Sequence, residues 1–174
     1  MSSAIERVNA AWDRIEKHFA EKKPDYKLPA GAAAAEISAL EALLKVPLPE
    51  EFKVSLRRHN GAEEWTKGKL FYSIEGLKGE WGELAGLVDD GGFGESPEGN
   101  NEFIQNTFFD KKWIPFDANP ETGHVSYIDL NPGPKGTVGQ VFWMDHEYGP
   151  EGPHFPDFAA YLENTADKLE GGKY

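Results

Sequence analysis

Residues 113–143 read WIPFDANPETGHVSYIDLNPGPKGTVGQVFW, and their reading decides the fold class. The apolar runs WIPF, HVSYIDL and GQVFWMD are separated by ANPETG and NPGPKGTV, which are dense in turn residues. Short runs of strand length broken by Gly, Pro, Asn and Asp have the spacing of an antiparallel meander. Pro and Gly set backbone dihedrals but perform no acid, base or nucleophilic chemistry, so the stretch reads as strand ends and corners.

Upstream the hydrophobic period changes. Val8, Trp12, Ile15 and Phe19 are spaced four, three and four residues apart, one stripe of a helix that Ser2 or Ser3 caps. Ile37, Leu40 and Leu44 predict a second helix stopped by Pro47. Phe52 and Leu56 predict a third, with Pro49 in its first turn and Asn60-Gly61 as its stop. From Gly61 the glycines multiply: KLFYSIEGL alternates as a strand, and EWGELAGLV reads as a short helix burying Trp81, Leu84 and Val88, although Gly82 and Gly86 disfavour it. DDGGFGESPEGNN is loop chemistry. Phe155, Phe158, Leu162 and Leu169 place a closing helix on FPDFAAYLENTADKL. Helices, then strands, then a helix predict an α+β fold: a single domain over residues 1–174, with N-terminal helices, a central mostly antiparallel sheet and a C-terminal helix.

Composition supports a folded chain. A domain of this length buries roughly 70% of the surface its unfolded chain exposes, and 39% hydrophobic and 13% aromatic residues exclude disorder despite a mean hydropathy of −0.58. The absence of cysteine excludes disulfides, thiolate metal sites and cysteine nucleophiles. The N-terminus is charged from Glu6 onward without an apolar stretch, and no run approaches the ~18 residues of a membrane span, so a cytoplasmic protein is expected.

The net charge of −12 is unevenly placed. Residues 79–103 carry Glu80, Glu83, Asp89, Asp90, Glu95, Glu98 and Glu102 with no Lys or Arg, and MDHEYGPEGPHFPD adds Asp145, Glu147, Glu151 and Asp157. Such surfaces repel phosphate backbones, which argues against direct nucleic-acid binding, and attract basic partners.

The run Asp129, Leu130, Pro132, Gly133, Gly136, Gly139, Gln140 and Val141, with Trp113 and Pro115 in WIPF upstream, resembles the signature of the SUKH superfamily. That superfamily includes the fungal cell-wall-assembly and killer-toxin-resistance regulator and many bacterial immunity proteins. EISALEALLKVPLPEEFKVSLRRHNG is similar to its N-terminal helical pattern, through Glu41, Leu48-Pro49 and Asn60-Gly61. The resemblance covers residues 12–165, except 63–105, where the acidic loop matches no family pattern. It implies a central sheet in which Pro132 and Gly133 turn the corner between two strands, Gly133 supplying a φ above zero.

Catalytic constellations are sparse. His18, His59, His124, His146 and His154 include no helical pair with the Glu of zinc hydrolases. Asp117, Asn119 and Glu121 superficially suggest a calcium loop, but Gly123 falls one place late and Ile128 stands where a Glu ligand is needed, so a turn is expected. Asp89-Asp90 reads as a solvated face, and Trp113 and Trp143 as core. The expectation is a protein without cofactor, metal or catalytic role. The resemblance and the acidity together imply a non-enzymatic immunity protein that occludes a basic toxin domain through Glu80, Asp89, Asp90, Glu95, Glu98, Asp145 and Glu147, with a cell-wall regulatory module as the alternative.

Overall fold

In the computed structural model, which describes residues 2–66, 68–93, 102–145 and 148–172, the apolar runs of the opening stretch are strands β3 (Trp113–Asn119), β4 (His124–Asp129) and β5 (Val141–Asp145). They form the middle of a six-stranded antiparallel sheet with β1 (Ala62–Thr66) and β2 (Lys69–Phe71) on one side and β6 (Gly149–Phe155) on the other. Spatial order equals chain order, as a meander requires.

Helix α1 (Ala4–Lys22) starts at Ser3 through a capping box: Ser3 Oγ accepts from Glu6 N–H, and the Glu6 carboxylate accepts from Ser3 N–H. Its stripe of Val8, Trp12, Ile15 and Phe19 is buried as its spacing predicts. Helix α2 (Ala34–Leu44) buries Ile37, Leu40 and Leu44, and α3 (Glu50–Arg58) buries Phe52 and Leu56. Pro49 is the residue ahead of α3, not a member of its first turn. With α5 (Phe158–Glu170) these helices cover one face of the sheet. Phe116 of β3 centres that core, with ring centroids 6.2 Å from Phe52, 5.3 Å from Phe158 and 4.8 Å from Tyr161.

The other face carries Trp113, Tyr127 and Phe142, Trp113 and Phe142 edge to face at 4.8 Å. It is covered by Ala85, Trp81 and Leu84 of α4 (Ile74–Asp89) and by Ile104 and Phe109 of the segment that returns to β3. A bulge in β3 connects the faces: Pro115 opposes Tyr127 and Asp117 opposes Ser126, so Phe116 is an extra residue. Phe116 and Asp117 are therefore consecutive and both turned toward the helix side. Pro115 is tolerated because it precedes the bulge, and β2 pairs with β3 only from Asp117 onward.

Three elements depart from the sequence reading. Helix α4 begins six residues earlier than EWGELAGLV, because Ser73 Oγ caps it at Gly76 N–H and because Ile74, Leu77 and Ala85 are buried. Tertiary packing outweighs the helix cost of its glycines, about 1 kcal/mol each. KLFYSIEGL accordingly stops being strand at Phe71. Phe155 belongs to β6 rather than to the final helical stripe, since Asp157 accepts from Ala160 N–H and starts α5 after it.

The first and last helices run the same way and are clamped by two arginines. Arg7 holds Asp157 at 2.8 Å and Glu163 at 2.6 Å, and Arg14 holds Asp167 at 2.6 Å and Glu170. These pairs are partly exposed, so packing between the helices carries most of the stability.

Two glycines test the packing in opposite directions. A Cβ on Gly82 meets nothing within 4 Å, so Gly82→Ala is expected to raise stability by about 0.4–1 kcal/mol. A Cβ on Gly31 would stand 1.6 Å from the Arg57 carbonyl oxygen, so Gly31→Ala is expected to cost about 2–3 kcal/mol. Urea denaturation of the two variants beside the wild type measures both.

Candidate partner-binding surface

The acidic stretch 79–103 leaves the sheet along α4 and comes back at Glu102, and the motif around Asp129 and Gln140 holds the return. Gln140, 2% exposed, uses its whole amide: Nε2 donates to Asp129 Oδ2 (2.9 Å) and to the Phe103 carbonyl (2.7 Å), while Oε1 accepts from Thr137 N–H (2.9 Å). Gly133 N–H reaches the same Phe103 carbonyl at 3.0 Å, and Lys135 N–H reaches the Glu102 carbonyl at 2.9 Å. Gln105 Nε2 donates to the Pro132 carbonyl at 3.1 Å, Leu130 N–H to the Lys112 carbonyl at 3.0 Å, and Asn131 Nδ2 to Asp110 Oδ2 at 2.8 Å. The motif is a latch between the β4–β5 connection and the incoming chain.

Its glycines serve two purposes. A Cβ on Gly133 would lie 2.6 Å from the Glu102 carbonyl oxygen and one on Gly136 2.1 Å from that of Phe103, so both are needed for close approach. The φ above zero expected at Gly133 occurs instead at Gly139, at +90°, whose N–H donates to the Asp129 carbonyl at 2.7 Å. Trp113 is wholly buried at the start of β3, next to Asp129.

Burial pushes the Asp129 carboxyl up to about 6, against donation from Gln140 Nε2 and from Asn131 N–H, which favour the charged form. Asp117, 1% exposed, is likewise held above its ordinary range by burial, opposed by Lys69, Tyr161 and Ser126.

The expected interface residues do not form one patch. Asp89 and Asp90 are exposed at the C-terminal end of α4, Asp89 against Lys111 just ahead of β3. Leu87, Val88 and Phe103 are exposed on the same elements, at 41%, 37% and 45%. Glu80 is half-buried and accepts from the Tyr72 hydroxyl at 3.2 Å, and burial raises its carboxyl above the ordinary range. Asp145 accepts from His124 Nε2 at 2.9 Å, and His124 pairs with Asn119 at the far end of β3. Seven residues of β3, about 20 Å of strand, separate it from the Asp89 end. Glu95, Glu98 and Glu147 lie outside the described residues.

Asn119 Oδ1 accepts from Glu121 N–H at 3.0 Å, so the calcium-like string is a turn, as expected. Among the described residues no group of three His, Asp or Glu is placed to hold a metal, and no helix is long and apolar enough to cross a membrane. Sequence reasoning missed Phe103, Gln105 and Asp110, whose only signal is that the motif needs something to hold. It also missed Ser126, which shares a face with Ile128 by simple alternation in HVSYID.

An antiparallel meander with helices at both ends and a polar latch at one corner defines an α+β protein whose distinctive residues shape a surface. Residues 31–164 match the SMI1/KNR4 family (SUKH-1), and the chain belongs to that family. It is 26% identical over 187 positions to a Schizosaccharomyces pombe protein named cell wall biosynthesis/cell cycle regulator smi1, and 22% identical over 209 positions to a Neurospora crassa glucan synthesis regulatory protein. Each match takes in 96% of this chain but only 37% and 39% of the two fungal proteins, so the chain spans under two fifths of their length. Both relatives are named as regulators.

The latch carries a pH signature. Asp129 has a folded value of about 6 against an ordinary 3.8, so the native state binds the proton more tightly. Its contribution is fully present below about pH 4, fades as pH rises toward 6, and amounts to about 3 kcal/mol at most. Asp129→Asn is neutral throughout and is expected to lose this downward slope between pH 4 and 6, whatever constant offset it adds. Urea denaturation across that pH range, wild type against variant, measures it.

Proposed function

We propose that the protein is a non-enzymatic binding module that neutralises a basic toxin domain in the cytoplasm by covering it with the acidic end of α4 and the loop the latch returns. The observation that carries this reading is the use of the motif: its polar and glycine residues anchor the returning end of a segment with seven acids and no base. A fold that spends its distinctive residues on holding a charged loop fits recognition better than turnover. Toxin domains that act on nucleic acids need a basic substrate groove, and an acidic loop fills such a groove as a phosphate mimic. Asp89, Asp90, Glu95 and Glu98 supply long-range attraction, and exposed Leu87, Val88 and Phe103 supply apolar contact that slows dissociation.

The second reading, a regulatory module of cell-wall assembly, is favoured by the names of the fungal relatives. Both readings use the same surface, and they differ in the partner. Capture from native lysate with the wild type and with Asp89, Asp90, Glu95 and Glu98 all changed to Ser separates them. A toxin-like domain retained by the wild type and lost by the variant is the expected result; cell-wall enzymes alone would transfer the assignment to the regulatory reading. With a purified partner, the association rate is expected to fall about tenfold from low to physiological salt while dissociation barely changes. An association rate indifferent to salt would rule out the electrostatic mechanism.

A further inference from the structure

Residues 23–33 join α1 to α2 as a strap. Its two ends are tied down: the Tyr26 hydroxyl donates to the Glu63 carbonyl at 2.5 Å, Asn60 N–H to the Ala30 carbonyl at 3.0 Å, and Ala32 N–H to the Leu56 carbonyl at 2.8 Å. Between them Lys27 and Pro29 are exposed and Leu28 is only partly buried. Here the Pro29 carbonyl meets Nδ1 of His59 at 2.6 Å, and this contact holds the middle of the strap to the helices. Pro29 also lines a cavity of about 310 Å³, whose wall includes Tyr26, Lys27, Asn60, Gly61 and Ser73.

The second ring nitrogen of His59, Nε2, stands 2.9 Å from Oε1 of Glu16 on α1. Arg58 holds the same carboxylate, donating through Nη2 to Oε2 at 2.8 Å and through Nε to Oε1. Donation from Arg58, partly offset by burial, keeps the Glu16 carboxyl below its ordinary range, so Glu16 is ionised and has no proton to give. A peptide carbonyl has none either. Both ring nitrogens therefore face atoms that only accept, and the arrangement is satisfied when each carries a proton. The ring also lies against the buried indole of Trp12, with centroids 4.7 Å apart, within the distance at which an aromatic ring attracts a cation. Trp12 is fixed in turn by donation from Nε1 to Ser55 Oγ at 2.9 Å. The remaining charges of these elements are occupied: Asp13 pairs with Arg58, and the Lys27 ammonium donates to the Pro24 carbonyl at 3.2 Å.

We propose that His59 is a proton-operated catch for the strap: as the imidazolium it bridges Glu16 to the Pro29 carbonyl, and on losing one proton it releases Pro29. A neutral imidazole has a single N–H. The ionised Glu16 is the stronger acceptor, because hydrogen bonds to a charged group are roughly twice as strong as neutral ones. Nε2 therefore keeps the proton, and Nδ1 turns a lone pair onto the Pro29 oxygen. Two lone pairs at 2.6 Å repel, so Pro29 moves off the ring and the cavity it borders widens at that side. Histidine as a residue type changes charge between about pH 5 and 8, which sets where the catch works. The device is separate from the latch and from the acidic end of α4, and it does not rest on the toxin reading.

The test follows the histidine ring nitrogens of nitrogen-15 labelled protein by nuclear magnetic resonance from about pH 5 to 8. The His59 signals are identified by their loss in His59→Gln. A ring with two protons has two similar nitrogen shifts, and a neutral ring has two widely separated ones. At the acid end His59 is expected to show the charged pattern, with a nuclear Overhauser contact between its ring and Pro29. As it converts to the neutral Nε2–H pattern, that contact is expected to be lost, and the amide signals of Lys27, Leu28 and Ala30 are expected to shift in step with the ring. Glu16→Gln places an amide NH2 where Nε2 can accept from it, so Nδ1 keeps its proton, and this variant is expected to retain the Pro29 contact across the whole range. A ring that holds one charge state throughout overturns the proposal, and so does one that titrates while the Pro29 contact and the strap amides stay in place. A Glu16→Gln protein whose strap answers pH as the wild type does overturns it as well. If either variant does not fold, sequential assignment of the wild type identifies the ring and its titration still decides.

Discussion

The buried amide of Gln140 joins three parts of the chain at one point. It holds the Asp129 carboxylate at the end of β4, the Thr137 amide in the β4–β5 connection, and the Phe103 carbonyl where the acidic segment returns. With both amide atoms engaged, the side chain has little freedom to exchange partners, and the low polarity around it strengthens each bond. The layer of Trp113, Tyr127 and Phe142 then has a lid, because Ile104 and Phe109 follow directly from the latched residues. Anchoring of the loop and burial of the second aromatic layer are thus one event.

The helices α1 to α3 and the middle strands are legible in the sequence because each obeys one period. Trp12 and Phe19 repeat at helical spacing, and HVSYID alternates between two buried faces that differ in chemistry. Elements that failed to announce themselves do so for physical reasons. Helix α4 contains Gly76, Gly79, Gly82 and Gly86, so local propensity opposes it and only burial of Ile74, Leu77 and Ala85 reveals it. The bulge at Phe116 has no composition signature; plain alternation would send Asp117 to the side of Trp113 and Tyr127. At the candidate surface, the motif positions are visible in the sequence, but the chain they hold is distant in sequence and carries no pattern of its own.

Charge is divided between the two ends of the sheet in different states. Asp89 and Asp90 are solvated and close to apolar side chains, the combination that lets long-range attraction and short-range contact act at one place. Asp145 and Asp117 are each matched to a base nearby, so the far end presents shape and hydrogen bonding rather than field. The family match over residues 31–164 takes in the latch and the acidic segment alike.

The open sheet has two edges, and β6 is one of them. Its sequence Gly149-Pro150-Glu151-Gly152-Pro153 places two residues without an N–H in a strand that, among the described residues, has a neighbour on one side only. Such an edge is a poor template for another strand, in a second copy or in a misfolded chain. The prolines that hide this strand from a sequence reader also protect the protein from edge-to-edge aggregation, and a partner meeting that edge encounters side chains in place of a backbone ladder.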